Sequence, residues 1–131
     1  MTDQERVIQH GPKTVFESPR ERAILVGVER PNAEWSLASS LAELERLADT
    51  AGADTVATTT QKLEAPNPRT FVGSGRAEEI ASLCRSYAAD IVIFDDELSP
   101  SQQSNLEKMV GKNVKVIDRT ALILDIFALH A

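Results

Sequence analysis

Residues Ile91–Ser104 read IVIFDDELSPSQQS. Four apolar residues, three of them aliphatic, form a short run of the kind that fills a strand covered on both faces. Two adjacent carboxylates, Asp95 and Asp96, end the run. A helix start follows at once: Ser99 suits the N-cap, Pro100 the first helical position, and Gln102 stands three residues after the cap. Strand, acidic turn and helix make the repeating unit of an α/β protein. The order places Asp95 and Asp96 at the carboxyl end of a strand, where open parallel sheets bind their ligands.

The same alternation extends in both directions. Ala23–Val28 (AILVGV) predicts another buried strand. A loop with Pro31, Asn32 and Trp35 follows. Leu37, Leu41, Leu44, Leu47, Ala48 and Ala51 then recur at helical spacing, with Ser40 and Glu43 as a capping box and Gly52 as the stop. Thr55–Gln61 alternates like a strand with one wetter face, which suits a sheet edge. Pro66 and Pro68 mark a loop. Gly73-Ser74-Gly75 then leads to a helix over Arg76–Ala88, with Ala77, Ile80, Ala81, Cys84 and Tyr87 inward. Pro100–Val110 is the third helix, closed by Gly111. Val114–Ile117 is the fourth strand. Asp118 or Thr120 caps a last helix over Ala121–Ala131. Four β-α units joined by right-handed crossovers give a parallel sheet of about four strands with helices on both faces. Residues 1–21 read as a flexible polar arm, with a short extended piece at Lys13–Phe16, and residues 22–131 as the domain.

The 131 residues suffice for one domain with a core. The net charge of −6 argues against broad contact with nucleic-acid phosphates, which needs clustered Lys and Arg, but it permits a small basic face. A single cysteine, Cys84, excludes an internal disulfide and a cysteine zinc cluster. Cytoplasmic localisation is expected from that usage. No apolar run approaches the ~20 residues of a membrane span, and the N-terminal residues lack a signal-peptide core, so no membrane insertion is expected.

Three places carry candidate chemistry. Gly73, Ser74, Gly75 and Arg76 stand at a helix start, where backbone amides can cradle a nucleotide or phosphate; the other reading is a glycine turn that opens the helix. Neither G-x-x-x-x-G-K-[ST] nor G-x-G-x-x-G occurs in the chain. Asp95 and Asp96, with Glu97 beside them, are candidates for a metal such as Mg²⁺, or carboxylates that favour the nearby helix N-terminus. Asp118 reads as a cap, which leaves Arg119 free for a phosphate or a neighbouring domain. Lys62, Arg69, Arg76 and Arg85 are candidates for a local basic face, with Lys62, Arg69 and Arg119 as the interdomain or RNA contacts. His10 and His130 lie near the termini, away from these places. No nucleophile–base pair emerges. The last helix presents Leu122, Ile123, Ile126, Phe127 and Leu129 with no terminating residue, which suits docking on a further domain or self-association.

Several long phrases stand in order: SLAELERLADTAGAD from Ser40, TTQKLEAPNPRTFVGSGRAEEI from Thr59, IVIFDDELSPSQQSNLEK from Ile91 and VKVIDRTALILDIFALHA from Val114. On these the chain, from Arg22 onward, resembles the N-terminal domain of the HflX family of translational GTPases. Where the family usually reads GSGK, Arg76 keeps the charge and changes its geometry. The resemblance implies an α/β domain followed by a helical segment and a GTP-binding domain that holds GTP and Mg²⁺. It also implies a large-ribosomal-subunit partner and a part in splitting or rescuing ribosomes. Two function classes follow: a ribosome-associating, regulatory binding module, or a stand-alone nucleotide-binding domain for ATP or GTP that uses the glycine turn and the acidic strand end.

Overall fold

The computed structural model describes residues 19–129. The arm, apart from its last residues, the extended piece at Lys13–Phe16, and His10 and His130 lie outside them. Eight elements alternate: β1 (Glu21–Glu29), α1 (Leu37–Thr50), β2 (Ala53–Lys62), α2 (Ser74–Ser86), β3 (Ile91–Phe94), α3 (Pro100–Val110), β4 (Lys115–Asp118) and α4 (Arg119–Leu129). The strands form one parallel sheet in the order β2-β1-β3-β4. This is the α/β fold that the sequence predicts.

The order follows from handedness. The chain steps from β1 to β2 in one direction and from β2 past β1 to β3 in the other. A right-handed crossover must change face when the direction changes. Accordingly α1 and α4 cover one face, against Ala23, Leu25, Ile91 and Ile93. On the other, α2 and α3 cover Ile24, Val26, Val92 and Phe94. Ile91–Phe94 is buried throughout, because both faces of β3 are covered. The Thr-rich β2 lies at an edge, as its alternation predicts, and carries an irregularity where Val56 has no partner opposite Ala23 and Ile24.

Local signals set the element ends. Ser99 and Gln102 form the expected capping box around Pro100, and Gly111 closes α3 with a φ of 96°. Gly52 follows α1 with a φ of 97°. Two expectations need correction. The N-cap of α1 is Ser36, whose hydroxyl accepts from the Ser39 amide at 3.1 Å, so Ser40 and Glu43 lie within the helix and form no capping box. Ser40 Oγ is used at longer range, as described below. Tyr87 is not inward: α2 ends before it, and the residue is 41% exposed. Cys84 is buried in the core. Among the described residues no helix is long and apolar enough to cross a membrane. On the outer side of α4, Leu124, Phe127 and Leu129 are exposed.

At Gly27 the side chains of α1 lie directly against the backbone of β1. A methyl group on it would lie 2.8 Å from Cδ1 of Leu37 and 3.1 Å from both Cδ atoms of Leu41. Gly27→Val is therefore expected to lower stability by ~1–3 kcal/mol through overpacking. Chemical denaturation checks this; an unchanged midpoint would show that α1 packs loosely on β1.

Candidate functional site

All strands end on one edge, and the loops after β1, β2 and β3 gather there with the N-termini of the four helices. The connections leaving β1 and β3 depart to opposite faces, which opens a crevice between them. It measures about 870 Å³ and is lined by Arg30, Trp35, Ser36, Ser40 and Asp96 among others. Asn32, with a φ of 62°, turns the β1–α1 loop over it.

Beneath the crevice lies a polar lock. Asp95 directly follows β3, and its amide donates to the Val26 carbonyl at 2.9 Å, prolonging the pairing with β1. Its side chain is only 6% exposed. Arg119, the first residue of α4, donates to Asp95 Oδ1 from Nη2 at 2.6 Å and from Nε at 3.0 Å. Ser40 Oγ donates to the other oxygen, Oδ2, at 2.5 Å. Arg119 also donates to the Ser40 carbonyl at 2.9 Å and to Glu43 at 3.0 Å. Burial opposes the charge on Arg119, but the Asp95 carboxylate outweighs it and holds the guanidinium above its ordinary value. Next to the lock, Asp118 accepts from the Leu98 amide and from the Ala121 amide, both at 2.9 Å, so it caps α4 and pins the β3–α3 loop.

Asp96 has a different environment. Its nearest cation is Arg30, at 3.6 Å. Burial raises its pKa above the usual carboxylate value; Arg30 opposes the shift and Asp95 adds to it. Arg30 in turn lies over the Phe71 ring at 5.4 Å. Phe71 is buried, packs edge-on to Phe94 and has a φ of 67°, a costly conformation for a bulky residue. Its loop is held by paired bonds with Asn67, by Gln102 Nε2 on the Asn67 carbonyl at 2.8 Å, and by Asn105 on the Arg69 carbonyl at 3.0 Å.

The expected residues, Arg85 apart, share the edge but not one pocket. The Gly73 amide donates to Gln61 Oε1 at 2.9 Å. Arg76 pairs with Glu79 at 2.6 Å and reaches Thr59 at 3.4 Å. Lys62 is exposed at the end of β2 and Arg69 on the β2–α2 loop beside α3, whereas Arg85 stands near the far end of α2, at the opposite edge. Arg119, read from the sequence as free, has its three nitrogens engaged within the fold. Among the described residues no three His, Cys, Asp or Glu side chains converge. With Asp95 held by Arg119 and Ser40, the two adjacent carboxylates do not present a pair of free ligands to Mg²⁺. The residues that sequence reasoning passed over are Ser40, Arg30 and Phe71. Only the separation of Arg30 by one residue from the end of an apolar run could have pointed to a site.

The sequence pattern described as "GTP-binding GTPase N-terminal" matches residues 38–128. The chain belongs to this family, as an N-terminal domain of the HflX type. It is 46% identical over 112 residues to "GTPase HflX" of Flavobacterium psychrophilum, a match that covers 85% of the chain and 27% of that relative. With the Escherichia coli protein of the same name the identity is 46% over 91 residues, 70% of the chain and 21% of the relative. The chain thus spans about a quarter of the length of these curated relatives. A GTP-binding protein from Sulfolobus solfataricus, solved with GDP, shares the fold with a TM-score of 0.63 at 19% identity, over 84% of this chain and 31% of that one.

Removing one partner of the lock strands the other in a largely buried place. Arg119→Ala is expected to cost ~2–4 kcal/mol, below the ~3–5 of a fully buried pair because the arginine side chain is 23% exposed. Arg119→Lys should recover only part, since an ammonium cannot bridge Asp95, Ser40 and Glu43 as a fork does. Thermal and denaturant melts check both. For Asp96 the sign is opposite. A carboxyl whose folded pKa is raised binds protons more tightly in the native state, so its ionisation disfavours folding above that raised value. Asp96→Asn is expected to melt at or above the parent temperature at pH 7. The difference should shrink as pH falls towards the ordinary carboxylate range of about 4. A variant less stable at pH 7 would refute the assignment.

Proposed function

We propose that this domain is the ribosome-associating and regulatory part of an HflX-type GTPase that acts on the large ribosomal subunit in splitting or rescue, and that it works by contact rather than by its own hydrolysis. The observation that carries the reading is the inward commitment of the edge. Asp95 and Arg119, the charges best placed to start chemistry, hold α1, β3 and α4 together instead. Family membership supplies the GTPase context. GTP and Mg²⁺ then belong to a phosphate-loop domain of the kind the family carries, and the 131 residues contain no G-x-x-x-x-G-K-[ST]. The exposed Leu124, Phe127 and Leu129 suit contact with such a domain. Cytoplasmic localisation accords with this partner.

The rival reading, a stand-alone ATP or GTP site at Gly73–Arg76 with Asp95 or Asp96, meets a Gly73 amide and an Asp95 carboxylate that already have partners in the fold. RNA contact in an acidic chain must be local, and Lys62, Arg69 and Arg76 supply it beside the β2–α2 loop. Cosedimentation of the domain with large ribosomal subunits over 50–200 mM salt tests this on a scale where ~6–10 phosphate contacts would cost ~10³–10⁵ in affinity. Few contacts predict a shallower slope, and Lys62→Glu with Arg69→Glu should weaken binding severalfold at low salt. No cosedimentation at low salt would overturn a direct contact.

A further inference from the structure

The geometry points to the crevice between the β1–α1 loop and Asp96 as a pocket for an unstacked guanine base of single-stranded RNA, stacked on Trp35 and read by Asp96 and Arg30. The inference deepens the ribosome-contact reading by naming what this part of the edge recognises.

Four observations carry it. The crevice lies at the switch point of the sheet, and its volume of about 870 Å³ falls within the ~300–1,000 Å³ of ligand sites. Trp35 lines it and is 76% exposed, so the largest aromatic surface of the chain is open to stacking rather than buried in the core. Such platforms hold bases of single strands, at ~1–3 kcal/mol per stacked base. Asp96 remains available to a ligand, unlike Asp95, which Arg119 and Ser40 saturate. Finally, Arg30 lines the crevice with its side chain 40% exposed, and its Nη2, 3.6 Å from Asp96, lies beyond hydrogen-bond distance and is open to an acceptor.

The pairing of Asp96 with Arg30 sets the choice of base. A carboxylate and a guanidinium stand side by side, 3.6 Å apart. Guanine presents a matching row on its Watson–Crick edge: the N2 and N1 hydrogens, which a carboxylate accepts together, and then O6, which a guanidinium donates to. Adenine offers one donor group beside an acceptor nitrogen. Uracil offers a single N–H between two carbonyls, and cytosine reverses part of the order. Charge decides against a free nucleotide. Glu29, Glu34 and Asp96 line the crevice. They repel a triphosphate but not a base, whose flanking phosphates in a strand can lie outside, towards the β2 side with Lys62.

Trp35 is the single tryptophan of the chain, so stacking has its own reporter. Titration with guanosine is expected to quench its fluorescence saturably, with adenosine, uridine and cytidine at least tenfold weaker. An unstructured oligouridylate carrying one guanosine should bind more tightly than guanosine, and GTP less tightly. Asp96→Asn should abolish the preference for guanosine while the protein melts no lower. Trp35→Ala, followed by calorimetric titration, should lose guanosine binding. An absence of saturable quenching by guanosine would overturn the pocket, as would equal affinity for the four nucleosides. GTP binding more tightly than the oligonucleotide would overturn the RNA assignment. None of these results depends on ribosome cosedimentation, so failure here leaves that experiment to be judged separately.

Discussion

The carboxylate of Asp95 joins three elements that the chain brings from far apart. Ser40 lies 55 residues before it and Arg119 lies 24 after it, and both bond to the same side chain. The apolar faces of α1 and α4 would pack on β1 and β3 in many slightly different positions, because hydrophobic burial has no direction. The lock removes that freedom. A planar fork donating to a carboxylate, a carbonyl and a second carboxylate admits one arrangement of the helix starts. The position of the crevice floor follows from it, because Asp96 is the next residue in the chain.

The two adjacent acids therefore have opposite physical roles despite identical chemistry. Asp95 is buried but surrounded by donors, and its charge is used. Asp96 is less buried but poorly partnered, and its charge is a cost that burial imposes. A carboxyl kept in such a place, beside an arginine with an unpartnered nitrogen, is the kind of local expense that functional edges retain. The left-handed Phe71 belongs with them. Its ring supports Arg30 from below, and the Asn67, Gln102 and Asn105 hydrogen bonds hold its loop in the strained form.

The stretch Ile91–Gly111 was legible residue by residue, because each signal there is local: an all-apolar strand, a serine cap with glutamine three on, proline at the first turn and a closing glycine. Parallel order, both helical layers and the edge position of β2 followed from alternation and handedness. Reading failed where a side chain serves two levels. Ser40 looks like a cap because it precedes Glu43, but Ser36 supplies the cap and Ser40 bonds across 55 residues. Arg119 looks free because its partners are not neighbours in sequence. Tyr87 continues the apolar stripe of α2, yet the helix ends one residue before it. Whether Gly73–Arg76 or Asp96 meets a ligand was never readable from spacing alone, since a glycine turn and an acidic strand end also serve to start helices.

The sign of the whole chain gives a poor guide to what its edge can hold. A net charge of −6 describes the far field, which is screened within about 10 Å at ordinary salt. Within that distance the carboxyl edge is divided. Lys62 and Arg76 stand on the β2 side, Arg69 on the β2–α2 loop where it meets α3, and the carboxylates gather between β1 and β3. A polyanion without accessible bases would meet attraction at one end and repulsion at the other. A strand that can direct its phosphates one way and an unstacked base the other would meet both favourably. The division arises from topology: β2 and β3 lie on opposite sides of β1, so the ends of these two strands are held apart by the width of a strand, and the lock at Asp95 ties the acidic side to α1 and α4.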